Sequence, residues 1–157
     1  MESKYIDNII ENAVNFAKDK GHEYVTLEHI MFCLLENEDI IELVKDLNVE
    51  VNNIVEDLNQ YLDDPDLNGL INQNGIKGDP KKTVSTERMI QRALAQVIFT
   101  GREEVKPIDM FMSVLNEQNT HAAYFCQING LDKNIIVEYL ENKYNSNKSL
   151  ELMSMNE

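Results

Sequence analysis

Tryptophan is absent from this chain of 157 residues, and there are only three prolines and six glycines. So few chain-breaking residues favour helices over strands and turns. Positive charge is also scarce. Lys and Arg number 14 against 28 Asp and Glu, a formal net charge of −14. Such a surface repels phosphates, which argues against nucleic acid and anionic membranes as partners and suits basic or polar ones. The two cysteines, Cys33 and Cys126, lie far apart within apolar patterns and read as buried, reduced thiols. No cationic stretch leads into an apolar one at the start, and no apolar run reaches the roughly 18 residues of a membrane span. The expected setting is a reducing cytoplasm, without signal peptide or membrane anchor.

Hydrophobic residues make up 43% of the chain, enough for a core, and they recur at helical spacing. Ile6, Ile9, Ile10, Ala13, Phe16 and Ala17 form one stripe, closed by Gly21 where a left-handed cap is needed. Thr26 caps a second helix carrying Ile30, Met31, Leu34 and Leu35, and Asn37 a third carrying Ile40, Ile41, Val44 and Leu47. A fourth runs through Val51, Ile54, Val55, Leu58 and Leu62. Residues 63–83, rich in Gly, Pro, Asp and Asn, then read as a loop.

From Ser85 the pattern restarts as a copy. A shift of 80 carries Ile9 to Met89, Ala13 to Ala93, Ala17 to Val97, Gly21 to Gly101 and Leu35 to Leu115. A shift of 82 carries Val49 to Leu131, Ile54 to Ile136 and Leu58 to Leu140. Pro107 falls at a first helical position, where proline is favoured. The chain is therefore a tandem repeat. The fold expected is all-α: two pseudo-symmetric four-helix repeats packed into one eight-helix domain. Its boundaries are repeat one at 1–62, a linker at 63–84, repeat two at 85–144, and a flexible tail or linker start at 145–157.

The chemistry-bearing residues cluster in "GHEYVTLEHIMFCLL", residues 21–35. A zinc-protease helix needs a second histidine four residues after His22, but Thr26 stands there. A looser metal site from His22, Glu23, Glu28 and His29 is the alternative that the spacing leaves open, with His22 its first ligand. His121 reads as a helix-surface residue near an N-terminus. "KGDPKKT" lacks the spacing of a phosphate-binding loop, and neither cysteine has a basic neighbour to activate it. The expectation is no enzyme and no cofactor. Arg88 and Arg92 stand one turn apart, on the helix face opposite Met89, Ala93 and Val97. They read either as half of a mixed-charge docking patch or as partners of Glu87, Gln91 and water.

The repeat, with "GHEYVTLEHIMFCLLEN" and "RMIQRALAQVIFTGREEVKPIDMFMSVLNEQNTHAAYF", resembles the Clp N-terminal (Clp repeat) domain of AAA+ unfoldases over residues 1–143. It is most similar to the ClpA type. The resemblance implies a double four-helix repeat and a mobile, non-catalytic module that hands adaptors and substrates to an ATPase ring. The implied partners are a ClpS-like adaptor, substrate polypeptides and the Clp ATPase and protease rings. The positions implied to contact the adaptor are Glu23, Glu28, Arg88 and Arg92, with His22 and Thr83 nearby. A Thr-Glu-His motif that some members carry in both repeats is altered in the first and replaced by Lys106, Pro107, Ile108 and Asp109 in the second, which argues against a symmetric phosphoarginine pair. No ATPase module is present in the sequence. That leaves a docking domain, a free-standing subunit of the protease ring, or a phage-type decoy of the host adaptor.

Overall fold

Each apolar stripe forms a helix in the computed structural model, which describes residues 4–70 and 78–155. Repeat one contains α1 (Lys4–Asp19), a two-residue strand β1 (Tyr24–Val25), α2 (Leu27–Leu34), α3 (Glu38–Asp46) and α4 (Val51–Asp63). A short α5 (Pro65–Asn68) and β2 (Lys81–Lys82) follow. Repeat two contains α6 (Val84–Phe99), α7 (Pro107–Leu115), α8 (His121–Ile128) and α9 (Lys133–Met155). Among the described residues, no helix is long and apolar enough to cross a membrane.

The duplication extends to the backbone. Gly21 and Gly101 end α1 and α6 at φ values of 74° and 72°. The next amide in each case donates five residues back, His22 to Ala17 at 2.9 Å and Arg102 to Val97 at 3.0 Å. Asn48 and Gly130 close α3 and α8 in the same way, at φ values of 59° and 98°, with Val49 donating to Val44 and Leu131 to Cys126. These are paired left-handed caps that satisfy the last carbonyls of each helix.

The repeats meet as a pseudo-twofold pair. α2 packs against its equivalent α7, and α2 against α8 is matched by α7 against α3. A methyl group added at Gly130 would stand 3.5 Å from the Val49 side chain, so the two equivalent turns face each other. Ile30, Met31 and Leu34 from α2 and Met110, Phe111 and Val114 from α7 are fully buried in the shared core. Neither repeat could bury these faces alone.

Two stretches depart from expectation. The linker holds regular structure on both sides of residues 71–77, which lie outside the described residues. On one side α5 delivers a buried Leu70 into a cluster with Tyr61 and Leu62, against which Phe16 and Phe125 pack. On the other, β2 pairs in parallel with β1, Tyr24 opposite Lys81 and Val25 opposite Lys82. Strands of two residues carry no periodic signal, so sequence pattern does not find them. The second departure is a correction. The chain does not leave regular structure at residue 145, because α9 continues to Met155. No glycine or proline follows Gly130 to stop it, although every side chain from 141 to 155 is exposed.

Candidate functional site

The turn between α1 and α2 is built around two neutral histidines. The backbone N–H of Thr26, the residue before α2, donates to His29 Nδ1 at 2.9 Å. An accepting Nδ1 places the ring proton on Nε2, which faces His22 Nδ1 at 2.8 Å and donates to it. His22, accepting on Nδ1, then carries its own proton on Nε2, and the nearby Leu62 backbone favours that proton. Both side chains are buried, and burial holds both below the usual imidazole range, His29 down to about 3.

This arrangement removes the looser metal site. Both ring nitrogens of His29 and Nδ1 of His22 are taken up in hydrogen bonds, and Glu28 points elsewhere. Among the described residues no group of three or more His, Cys, Asp or Glu side chains is placed to hold a metal ion.

Glu28 is buried as well. Its carboxylate accepts from the Ala122 N–H at 2.9 Å, capping the start of α8 from the other repeat. Burial raises its pKa against the opposing effect of that bond. The two sequence-singled residues His22 and Glu28 are therefore interior groups, not parts of an exposed rim. Glu23 lies on the surface side of the same turn. Its N–H donates to Leu70 and its carbonyl accepts from Lys81, each within 3.0 Å, and its carboxylate makes no ion pair among the described residues. Thr83 donates its N–H to Val25 and caps α6 by accepting from Thr86 N at 3.2 Å. The β1–β2 pair thus sets Glu23 beside the N-terminus of α6.

Arg88 and Arg92 do not pair with Glu87 or Gln91. Both bind Glu117 in the turn between α7 and α8. Arg88 holds it with Nε at 2.8 Å and Nη2 at 2.7 Å, and Arg92 with Nη2 at 2.9 Å. Arg92 Nη1 also donates to the Ser113 carbonyl at 3.0 Å. Hydrogen bonding to Arg88 above all holds the Glu117 carboxyl down at about 2. Two cations share one carboxylate, and their side chains remain 55% and 34% exposed. Sequence reading missed Glu117. One signal for it was present: the repeat shift grows from 80 to 82 across this turn, marking two added residues.

Below the arginines a cleft of about 430 Å³ opens between α6, α7 and α9, lined by Arg92, Gln96, Met112, Val137 and Leu140 among others. The equivalent place in repeat one carries two aromatic rings. Phe16, at the position of Gln96, stacks on Phe32, at the position of Met112, with ring centroids 4.4 Å apart.

A family model for the Clp repeat N-terminal domain matches residues 3–128. The chain belongs to this family. A relative described as a ClpA homolog protein, from Fuscovulum blasticum, is 31% identical over 126 residues, covering 80% of this chain. The chain spans 16% of that relative's length. Solved structures agree on the all-α fold. The N-terminal domain of Hsp104 from Candida albicans superposes with a TM-score of 0.73 at 16% identity, covering 85% of each chain. The N-domain of ClpV from Vibrio cholerae gives 0.67 at 15% identity, covering 88% of this chain and 81% of its own. A ClpV N-domain solved as a complex with a VipB peptide gives 0.60 at 16%, covering 84% and 79%. In this Clp repeat domain the surface positions singled out by sequence divide into two neighbouring groups. Glu23 and Thr83 are joined through β1–β2, and Arg88 and Arg92 through Glu117.

Proposed function

We propose that this chain is a non-catalytic docking module of the Clp unfoldase system, acting in the cytoplasm. It receives a ClpS-type adaptor, and through it substrate polypeptides, on the face formed by Glu23, Thr83, Arg88 and Arg92. The observation that carries this reading is the sharing of Glu117 by two arginines. The trio keeps one net positive charge, and guanidinium N–H groups without a partner among the described residues, on an otherwise acidic molecule. An incoming carboxylate completes the arrangement, and Glu23 offers the opposite sign nearby. Mixed charge of this kind fixes orientation and partner choice more than raw affinity. The complex of a related ClpV N-domain with a VipB peptide supports peptide recognition as a use of this fold. His22 and Glu28 contribute by shaping the turn and the α8 start beneath the surface.

Titration of a ClpS-type adaptor against the purified chain, with Arg92→Glu and Glu23→Lys variants, tests the proposal. Saturable binding weakened by each reversal, in variants with unchanged circular dichroism, is expected. Absence of saturable binding, or binding indifferent to both reversals, overturns it. Retention on a Clp protease ring without adaptor binding assigns the chain to ring docking instead.

A further inference from the structure

The two repeats differ in how the groove beside their last helix is covered. In repeat one the chain turns sharply after α4. Asp64 caps α5, Pro65 opens it, and Gly69 at a φ of 62° closes it, which brings Leu70 into a buried cluster with Tyr61 and Leu62, against which Phe16 packs. The shift of 82 places Ser146, Asn147, Glu151 and Leu152 at the positions of Asp64, Pro65, Gly69 and Leu70. None of the turn-forming residues is repeated. α9 therefore runs straight on, and the cleft of repeat two stays open while Leu152 is carried away from it.

The straight helix bears a stripe. Val137, Glu141, Tyr144, Lys148, Leu152 and Met155 follow one another at spacings of three or four, so they share a face of α9. Val137 and Glu141 line the cleft. The apolar members are 36%, 65%, 53% and 80% exposed in that order. We propose that a second copy of this chain covers the cleft, the two α9 helices lying antiparallel about a twofold axis near Tyr144 and Asn145. In that register Val137 meets Leu152 of the other copy and Glu141 meets Lys148, since each pair of numbers sums to 289. Both contacts occur twice, as an isologous interface requires. The tip of each helix supplies an apolar cover to the cleft of the other copy.

Sedimentation of the full chain over a concentration series tests this. The expected result is a monomer–dimer equilibrium. Leu152→Asp with Met155→Asp changes only exposed side chains, and it is expected to raise the dimer Kd by about tenfold or more, the scale of one large apolar side chain. Lys148→Glu is expected to weaken the dimer, and Glu141→Lys added to it to restore it. In mixtures, Val137→Cys chains are expected to cross-link to Leu152→Cys chains, Cys33 and Cys126 being buried. A monomer at every concentration, or a dimer indifferent to these changes, overturns the proposal. So does an intramolecular disulfide in a chain carrying both new cysteines, because it shows the tip folding back on its own copy.

Discussion

His29 donates from Nε2 to Nδ1 of His22 across 2.8 Å, and the residues at the same places in the second repeat, Arg102 and Asp109, form a two-point ion pair at 2.9 and 2.7 Å. Asp109 also accepts from the N–H of Lys106 at 2.8 Å, as His29 accepts from Thr26. One structural task, tying a helix start to the preceding turn, is done twice with different chemistry. The buried site uses neutral rings. The more exposed site, where the Arg102 side chain is 36% accessible, uses charges.

The histidine pair makes repeat one acid-sensitive. Both imidazoles are held below their usual value of 6.5, so below that pH the unfolded chain takes up protons that the folded chain refuses. Stability is therefore expected to fall as pH drops from 6.5 towards 3, by up to about 1.4 kcal/mol per pH unit from His29, with His22 acting in the same direction. Thermal melts across that range check this. A His22→Asn, His29→Asn double variant is expected to show a flatter profile, whatever its stability at neutral pH.

Glu117 acts in a lower window. Its folded value of about 2 lies under its usual 4.5, so its contribution is complete above 4.5 and lost as pH falls towards 2. Glu117→Gln is expected to remove that loss and to cost about 1–2 kcal/mol at neutral pH, discounted for the exposure of its arginine partners. Denaturant unfolding at pH 7 and pH 3 measures both effects.

Glu28 separates a structural role from a surface one. Glu28→Ala leaves the Ala122 N–H unsatisfied at a buried helix start, with an expected cost of about 2 kcal/mol. Glu28→Gln keeps an acceptor and is expected to cost less than half of that. Equal losses for the two variants would show that the hydrogen bond to α8 contributes little.

The equivalent turns at Asn48 and Gly130 give a paired backbone test. Both residues hold positive φ. Gly130→Ala is expected to destabilise by about 1 kcal/mol through backbone strain alone, since the added methyl meets Val49 at an ordinary distance. Asn48→Gly is expected to be neutral to within a few tenths of a kcal/mol, because asparagine tolerates this conformation. Chemical denaturation of the two variants checks the pair.

Local and periodic features were legible in the sequence. Stripes such as Ile6 to Ala17, the stops at Gly21 and Gly101, and Pro107 as the first residue of α7 each depend on neighbours within a turn or two. The pseudo-symmetric packing followed from matching stripes. Contacts that join distant segments were not legible. Glu28 reaches a backbone amide 94 residues away, and Glu117 meets arginines 25 and 29 residues upstream. No periodicity encodes such pairs, and an acid-rich chain offers many candidates for each arginine. The same limit hid the burial of His22, which the sequence places only in the turn before α2.

The contact of Gly130 with Val49 lies where two identical chains would meet across a true axis. In such a pair a change at Phe16 would alter both grooves together. Linking the halves through residues 63–84 breaks that coupling. One groove carries the Phe16–Phe32 stack, while its twin keeps Gln96 and an open cleft. Covalent continuity thus lets equivalent positions in the two halves diverge independently, a freedom closed to a symmetric assembly.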